Sequence, residues 1–316
     1  MSFVVPSGLP GAGRTLRSAF IVGAPRCGTT FLAKALGRHP QICFSKPKET
    51  HFFALSWASM PPDQAAREFL RRYFHHLSPE HVLIGEASPS HLYEPEIAER
   101  IAAFDPEARI VVAVRNPIDM VYSLHARMLY LLEDDVTDFA RAWELQEARA
   151  RGQHIPKRSR EPRMLQYREM GCVADRIERL FAAVGRDRCH VVVYDDLAAD
   201  PIKTYRDLLE FVGVAYDGRT EFARKNENRE FESVWVQQFV TNPPWPISLL
   251  AVSWQLKGWK RPQSIKAFRR WVQQRNTRRA ARPPLSPEMR ESLRITFAPE
   301  VEHLGRLLGR DLSHWR

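Results

Sequence analysis

Three runs along the chain are apolar without alternation: 19–23 (AFIVG), 108–114 (ARIVVAV) and 189–194 (CHVVVY). Strands that are apolar on both faces belong to sheets covered on both sides, the habit of parallel sheets. Shorter runs at 41–44 and 81–85 read as two more strands. Between them the 3.6-residue period takes over. It predicts helices from Thr29 to Gly37, over 63–75 and 95–104, from Pro117, and over 137–150, 172–184 and 201–212. Strands alternating with helices predict an α/β fold, a central parallel sheet with helices on both faces. Beyond residue 220 the periodicity fades into a Trp- and Arg-rich stretch. The expected organisation is a single domain over 1–316, with a core at about 19–213 and an elaborated C-terminal region at about 214–316.

Composition adds little to this picture. With 316 residues, 44% hydrophobic and 27% charged, the chain has the usual material for a sizeable core. No internal repeat is visible. The first twenty residues lack a basic region followed by an apolar core, so no signal peptide is expected. The most apolar later stretch, 246–254, is too short to cross a bilayer. A cytosolic protein is expected. Four cysteines (Cys27, Cys43, Cys172, Cys189) in a chain this long form no disulfide framework, and no Cys/His spacing points to a metal.

Charge changes the picture more. The net +10 is local: residues 257–282 hold ten Lys or Arg and no acid, so the remainder is close to neutral. Such a segment suits an acidic substrate or an anionic membrane surface, and equally a solvated helix face.

The first candidate site follows the first strand. Gly23-Ala-Pro-Arg26-Cys27-Gly28-Thr29-Thr30 lies between strand and helix, where glycines admit an anion close to the backbone and free N–H groups point at it. Its glycines have the spacing of a nucleotide-triphosphate loop, but Thr29 stands where that motif needs lysine. The positive charge has moved to Arg26. The arrangement suits a smaller 5′ anion that needs no metal.

These residues make the sequence resemble the sulfotransferases that use 3′-phosphoadenosine-5′-phosphosulfate (PAPS). Residues 25–32 (PRCGTTFL) are similar to the family's 5′-phosphosulfate loop P-K-S-G-T-T-x-L, with Arg26 at the usual lysine. The resemblance implies a P-loop-type sheet, PAPS as co-substrate, and loop contacts from Arg26, Cys27, Gly28, Thr29 and Thr30. A second, independent motif lies about 90 residues on. After the strand 111–114 comes Arg115-Asn-Pro117 and then, with five residues between, Ser123. It resembles the family's 3′-phosphate motif R-x-P-x5-S. Arg115 offers a fork of donors matched to phosphate, and Pro117 presets the first helical turn.

Residues 46–53 (KPKETHFF) resemble the K-E-x-H-F-F stretch of heparan sulfate and related carbohydrate sulfotransferases, whose glutamate is the catalytic base. The resemblance assigns the base to Glu49, with His51 assisting, positioning or replacing it, and with Lys48 beside it. Residues 85–93 (GEASPSHLY) are similar to the family's G-E-K-(S/T)-P segment, but Ala87 replaces its lysine, so Arg26 or Lys48 must supply that charge. Residues 194–201 (YDDLAADP) match a segment after the family's last core strand, with an expected structural role. The ending 307–315 (LLGRDLSHW) looks typical of bacterial members. The family brings a basic loop from its last third over the nucleotide; Arg224-Lys225, Arg229 and Lys257 all compete for that role.

The expected function is transfer of a sulfuryl group from PAPS to a hydroxyl or amine of a small-molecule or carbohydrate acceptor, with no metal and no nucleic acid. Two rivals stand beside it. A P-loop kinase or NTPase would need the lysine that Thr29 displaces. A nonenzymatic polyanion binder built on 257–282 would leave both phosphate motifs and Glu49 without a task. The sequence gives no oligomeric state.

Overall fold

Strand β2 (Thr15–Gly23) is the spine of the sheet, because its inner residues 18–23 are all buried. The computed structural model describes residues 3–8, 11–222, 229–231, 233, 235–236, 271–272, 274–279 and 282–315. Parallel to β2 lie β4 (Leu83–Ala87) on one side and β5 (Arg109–Val114) on the other. Outside them are β3 (Ile42–Phe44) and β6 (Cys189–Val193), giving the order β3-β4-β2-β5-β6. A two-residue strand β1 (Phe3–Val4) adds antiparallel to the start of β2.

This order dictates where the helices lie. Right-handed crossovers that move in opposite directions put their helices on opposite faces. The step from β2 out to β3 carries α1 (Thr29–Leu36), which packs with α11 (Pro201–Phe211). The steps β3 to β4, β4 to β5 and β5 to β6 all move the other way. They carry α3 (Pro62–Tyr73), α4 (Ile97–Phe104) and α9 (Ala174–Val184), and α4 touches both α3 and α9. The expected α/β architecture is what forms.

On the α3/α4 face the core is aromatic. Phe20 of β2 meets Phe53 edge-on at 5.3 Å and Phe104 at 6.0 Å, and Phe53 stacks on Trp57 at 5.0 Å. Phe52 and Phe53 open the short helix α2 (Phe52–Leu55) and are completely buried. Such offset and edge contacts add about 0.5–1.5 kcal/mol each beyond area burial. The double phenylalanine is thus the anchor that ties residues 49–51 to the core.

The chain forms two compact units. The first comprises Met1–Val121, Glu169–Arg224 and Ser292–Arg316, and holds the whole parallel sheet. The second comprises Tyr122–Arg168 and Lys225–Glu291. It holds most of α5 (Pro117–Leu131), then α6 (Phe139–Glu144), α7 (Gln146–Ala150) and an antiparallel pair, β7 (Arg229–Phe231) with β8 (Thr277–Arg279). Its interior carries a buried ion pair: Arg149 donates two bonds to Asp134, at 3.0 and 2.7 Å, and Tyr167 donates a third at 2.6 Å.

Several boundaries differ from the sequence reading. The expected helix 137–150 breaks at Leu145 into α6 and α7. A 22-residue helix α12 (Pro287–Leu308), with Pro299 inside it, occupies the region where no period was legible. Glu300 on α12 accepts the N–H groups of Val173 and Ala174 at 2.7 and 2.8 Å, capping the start of α9.

Candidate active site at the carboxyl edge of the sheet

Because β2 to β6 are parallel, their carboxyl ends lie along one edge, where this sheet type binds ligands. The chain leaves β2 toward β4 and β3, then returns to β5 and β6 on the other side. The switch point is therefore the crevice between β2 and β5. Both phosphate motifs open there.

Residues 24–28 leave β2 just after a register shift against β5 between Ile21 and Gly23. Ala24 N–H donates to Ala113 of β5 at 2.8 Å, which pins the loop to the neighbouring strand. Gly23 sits so close to Leu92 that a Cβ would come within 2.5 Å of that side chain. Arg26 is exposed, with a positive φ of 65°. Gly28 caps α1 with φ 92°, and no side chain satisfies the helix start. Phe31 N–H turns back to the Gly28 carbonyl at 2.8 Å, so the N–H groups of Thr29 and Thr30 are the ones that an anion at this helix start would meet. Thr29 is buried and Thr30 exposed. The Cys27 thiol is buried, bonded to the Pro25 carbonyl at 3.4 Å, and desolvation pushes it up to about 12. The thiol is therefore held neutral and turned inward.

Gly28 is constrained twice, by φ and by space: a Cβ would lie 2.6 Å from Leu197 Cδ2 and 3.4 Å from Tyr194. Gly28→Ala is expected to cost about 1–3 kcal/mol. Thermal melting should show that loss.

Arg115 emerges from β5 beside this loop. Its guanidinium lies over the Tyr194 ring at 4.5 Å, with Nη1 3.5 Å from the Arg26 carbonyl and Nη2 3.6 Å from Asp119. Tyr194, at the end of β6, thus orients the arginine and with Leu197 walls the phosphate loop. Sequence reasoning gave this 194–201 segment a structural role and missed that its tyrosine holds Arg115. The two following aspartates latch the C-terminus. Asp195 accepts from Trp315 at 2.6 Å and pairs with His314 at 2.9 Å; Asp196 takes both arms of Arg310.

Ser123 is buried on α5. Within the second unit its hydroxyl lies 3.5 Å from Nη2 of Arg282, whose guanidinium covers the Tyr122 ring at 5.0 Å. Arg282 is the last cation of the 257–282 segment, a residue that sequence reasoning did not single out. Arg224, Lys225 and Lys257, with most of the basic segment, lie outside the described residues; Arg229 is placed in β7.

Residues 45–51 follow β3, two strands from β2 and thus about 10 Å away along the edge. Ser45 bonds Gly85 and the Lys48 carbonyl, and Ala87 N–H reaches that same carbonyl at 3.4 Å. Lys48 pairs with Glu49 at 2.5 Å, and the Glu49 side chain is 48% exposed. His51, at φ 50°, bonds Ser90 through Nδ1 at 3.1 Å. The structure thus brings Lys48 to Glu49 and sets His51 against the turn after β4, the 3-10 segment Pro89–Tyr93.

Beneath this segment Glu86 is fully buried, and desolvation raises its carboxyl to about 7 against the pull of Ser88, Thr50 and Lys48. His91, 3.9 Å away, is held neutral by burial, down to about 3. A carboxyl raised on folding binds more protons in the folded state, so stability falls as pH rises from about 4.5 to 7. At about 1.4 kcal/mol per unit, the penalty above pH 7 is on the order of 3 kcal/mol. His91 acts with the opposite sign on the acid side, and this cancels between variants. Glu86→Gln is therefore expected to match the wild type at pH 5 and exceed it at pH 8. Chemical denaturation at both pH values checks this, and equal differences at the two would contradict it.

Among the described residues one cluster has metal-like spacing: Asp175, Glu178 and His303, on α9 and α12. Both acids are exposed, and the ring nitrogens of His303 lie 3.3 and 3.4 Å from them.

A family model described as a sulfotransferase domain matches residues 16–242. A crystal structure of a sulfotransferase from Alicyclobacillus acidocaldarius superposes with a TM-score of 0.65 at 26% identity, over 96% of this chain and 100% of that one. Carbohydrate sulfotransferase 15 of Mus musculus is 28% identical over 35% of this chain and 27% of its own length. The membrane-associated sulfotransferase kil1 of Dictyostelium discoideum is 29% identical over 33% of this chain and 21% of its own. This chain thus spans about a quarter of those curated relatives. Among the described residues no helix is long and apolar enough to cross a membrane. With the family's domain matched over residues 16–242, more than half of its length, this chain belongs to the sulfotransferase family.

Proposed function

We propose that the protein transfers a sulfuryl group from PAPS to an acceptor hydroxyl or amine, yielding the sulfated acceptor, 3′,5′-adenosine bisphosphate and a proton. The observation that carries this reading is the meeting of the two phosphate motifs, with Arg115 Nη1 3.5 Å from the Arg26 carbonyl. The residues fit such a donor. Backbone N–H groups around Cys27–Thr30 and the exposed Arg26 receive the 5′ end and neutralise charge on the leaving phosphate. Arg115, fixed on Tyr194, holds the 3′-phosphate, with Ser123 eight residues on along the chain. Glu49 takes the acceptor's proton, and Lys48 carries the charge that Ala87 cannot. His51 is the second candidate base. No metal has a part in these steps.

The K-E-x-H-F-F segment and the likeness to a carbohydrate sulfotransferase support a carbohydrate or related hydroxylated acceptor. The family match crosses both compact units, which supports one domain over 1–316. A kinase reading lacks its lysine at Thr29.

The test is transfer of ³⁵S from labelled PAPS to a panel of desulfated chondroitin, a glycolipid and p-nitrophenol, with and without EDTA. EDTA-resistant labelling of a panel member supports the proposal. Failure to label any, with phosphate transfer from ATP instead, overturns it.

A further inference from the structure

Glu86 has no part in the chemistry above, yet three successive backbone N–H groups depend on it. Its Oε1 accepts the N–H and the hydroxyl of Thr50, both at 3.1 Å, and the hydroxyl of Ser88. Ser88 Oγ in turn accepts the N–H of His51 at 3.0 Å. Thr50 Oγ1 accepts the N–H of Phe52 at 3.2 Å. Thr50, His51 and Phe52 are therefore all held by one oxygen, directly or through a single hydroxyl.

The segment needs such a hold. His51 adopts a left-handed backbone without being glycine, a conformation that persists only where its surroundings over-determine it. On its far side Phe52 and Phe53 are locked in the aromatic core, so the bend between core and edge is concentrated at 49–51. The other oxygen of Glu86, Oε2, makes no hydrogen bond among the described residues and faces His91 Nδ1 at 3.9 Å.

We propose that Glu86 is a positioning residue for sulfuryl transfer: through Oε1 it fixes the Thr50–Phe52 backbone and thereby the aim of Glu49 and His51. This rests on the reading of residues 49–51 as the catalytic segment. A proton on Glu86 resides on Oε2, since Oε1 is filled by donors; the hold is then the same in both protonation states. His91 and Lys48 are the titratable groups facing it. The hold depends on reach and an acceptor, not on charge, and glutamine keeps both.

The experiment compares Glu86→Gln, Glu86→Asp and Glu86→Ala in the transfer assay, with the best panel acceptor. Affinity for 3′,5′-adenosine bisphosphate and amide hydrogen exchange over 50–52 are measured alongside. Glutamine is expected to keep kcat within about three-fold and to keep exchange protection. Aspartate retains the charge but is one methylene short, and alanine lacks the acceptor. Both should lose kcat by about 10²-fold, the scale of a 1 Å misplacement, and lose protection at 50–52. Their KM for PAPS and bisphosphate affinity should stay within about two-fold of the wild type. If alanine does not fold, aspartate carries the test. Wild-type kcat in the aspartate or alanine variant, or a glutamine loss equal to theirs, overturns the inference. A wild type that neither binds the bisphosphate nor transfers sulfate overturns the underlying reading instead.

Discussion

Glu49→Gln is expected to lower turnover by about 10²–10⁴-fold, the usual contribution of a positioned general base, while bisphosphate affinity changes less than about two-fold. The separation follows from the architecture. Glu49 sits after β3, whereas the phosphate loop and Arg115 sit after β2 and β5. Glutamine keeps the size and the Lys48 contact through its carbonyl but takes no proton. The side chain is about half exposed and its ion pair with Lys48 lies near the surface. Such pairs contribute about 0–1 kcal/mol, so the fold should stand. Single-turnover measurements with saturating PAPS read the chemical step directly. Near-normal turnover in this variant, with a large loss in His51→Ala, would transfer the role of base to His51.

The second large effect is expected at Arg115. Arg115→Ala removes a charged fork from the proposed 3′-phosphate site, and affinity for the bisphosphate should fall by about 10²-fold or more. That corresponds to about 2.7 kcal/mol, within the range for charge-assisted bonds to a phosphate. Arg115→Lys should recover only part of it, because a point charge neither forks nor lies flat on Tyr194 in the same way. Tyr194→Ala, which removes the ring 4.5 Å from the guanidinium, should weaken binding less than Arg115→Ala and not abolish it. Equilibrium titration of each variant checks the order. Because the 3′-phosphate is one of the two features that separate this nucleotide from ATP, the other being the shorter 5′ end, Arg115→Ala should also narrow the discrimination between them.

The sheet was legible because 19–23, 108–114 and 189–194 are near-continuous apolar runs, mostly buried and broken only by the half-buried Arg109 and His190. Strand β4 was less so. Its expected span, 81–85, stopped at Gly85 because Glu86 reads as the end of an apolar run. In the fold Glu86 is a strand residue, buried by virtue of hydrogen bonds from Thr50 and Ser88 that no local pattern displays. Helix α12 was invisible for a different reason. It buries only Leu293, Phe297, Val301 and Leu304, one residue per turn, and Pro299 interrupts them.

At the site, the motifs after β2 and β5 could be read because glycine, proline and arginine mark them, and strand order brings them together. What sequence could not supply were the partners. Tyr194 and Arg115 are 79 positions apart, and Asp195 and Trp315 are 120 apart. The tail motif and the 194–197 segment each resembled the family separately, and only the fold shows that one latches the other. Arg282 ended a run of ten cations in which nothing distinguished it. Its place beside Ser123 is a fact of tertiary structure alone.

The proposed function requires that the β2/β5 crevice take a nucleotide with a 3′-phosphate and a 5′ anion, not a triphosphate with a metal. Calorimetric titration of the wild-type protein with 3′,5′-adenosine bisphosphate, run beside ATP with magnesium, tests it most directly. Tight, magnesium-independent binding of the bisphosphate is expected, lost in Arg115→Ala, with ATP bound far more weakly. Preference for ATP with magnesium would contradict it.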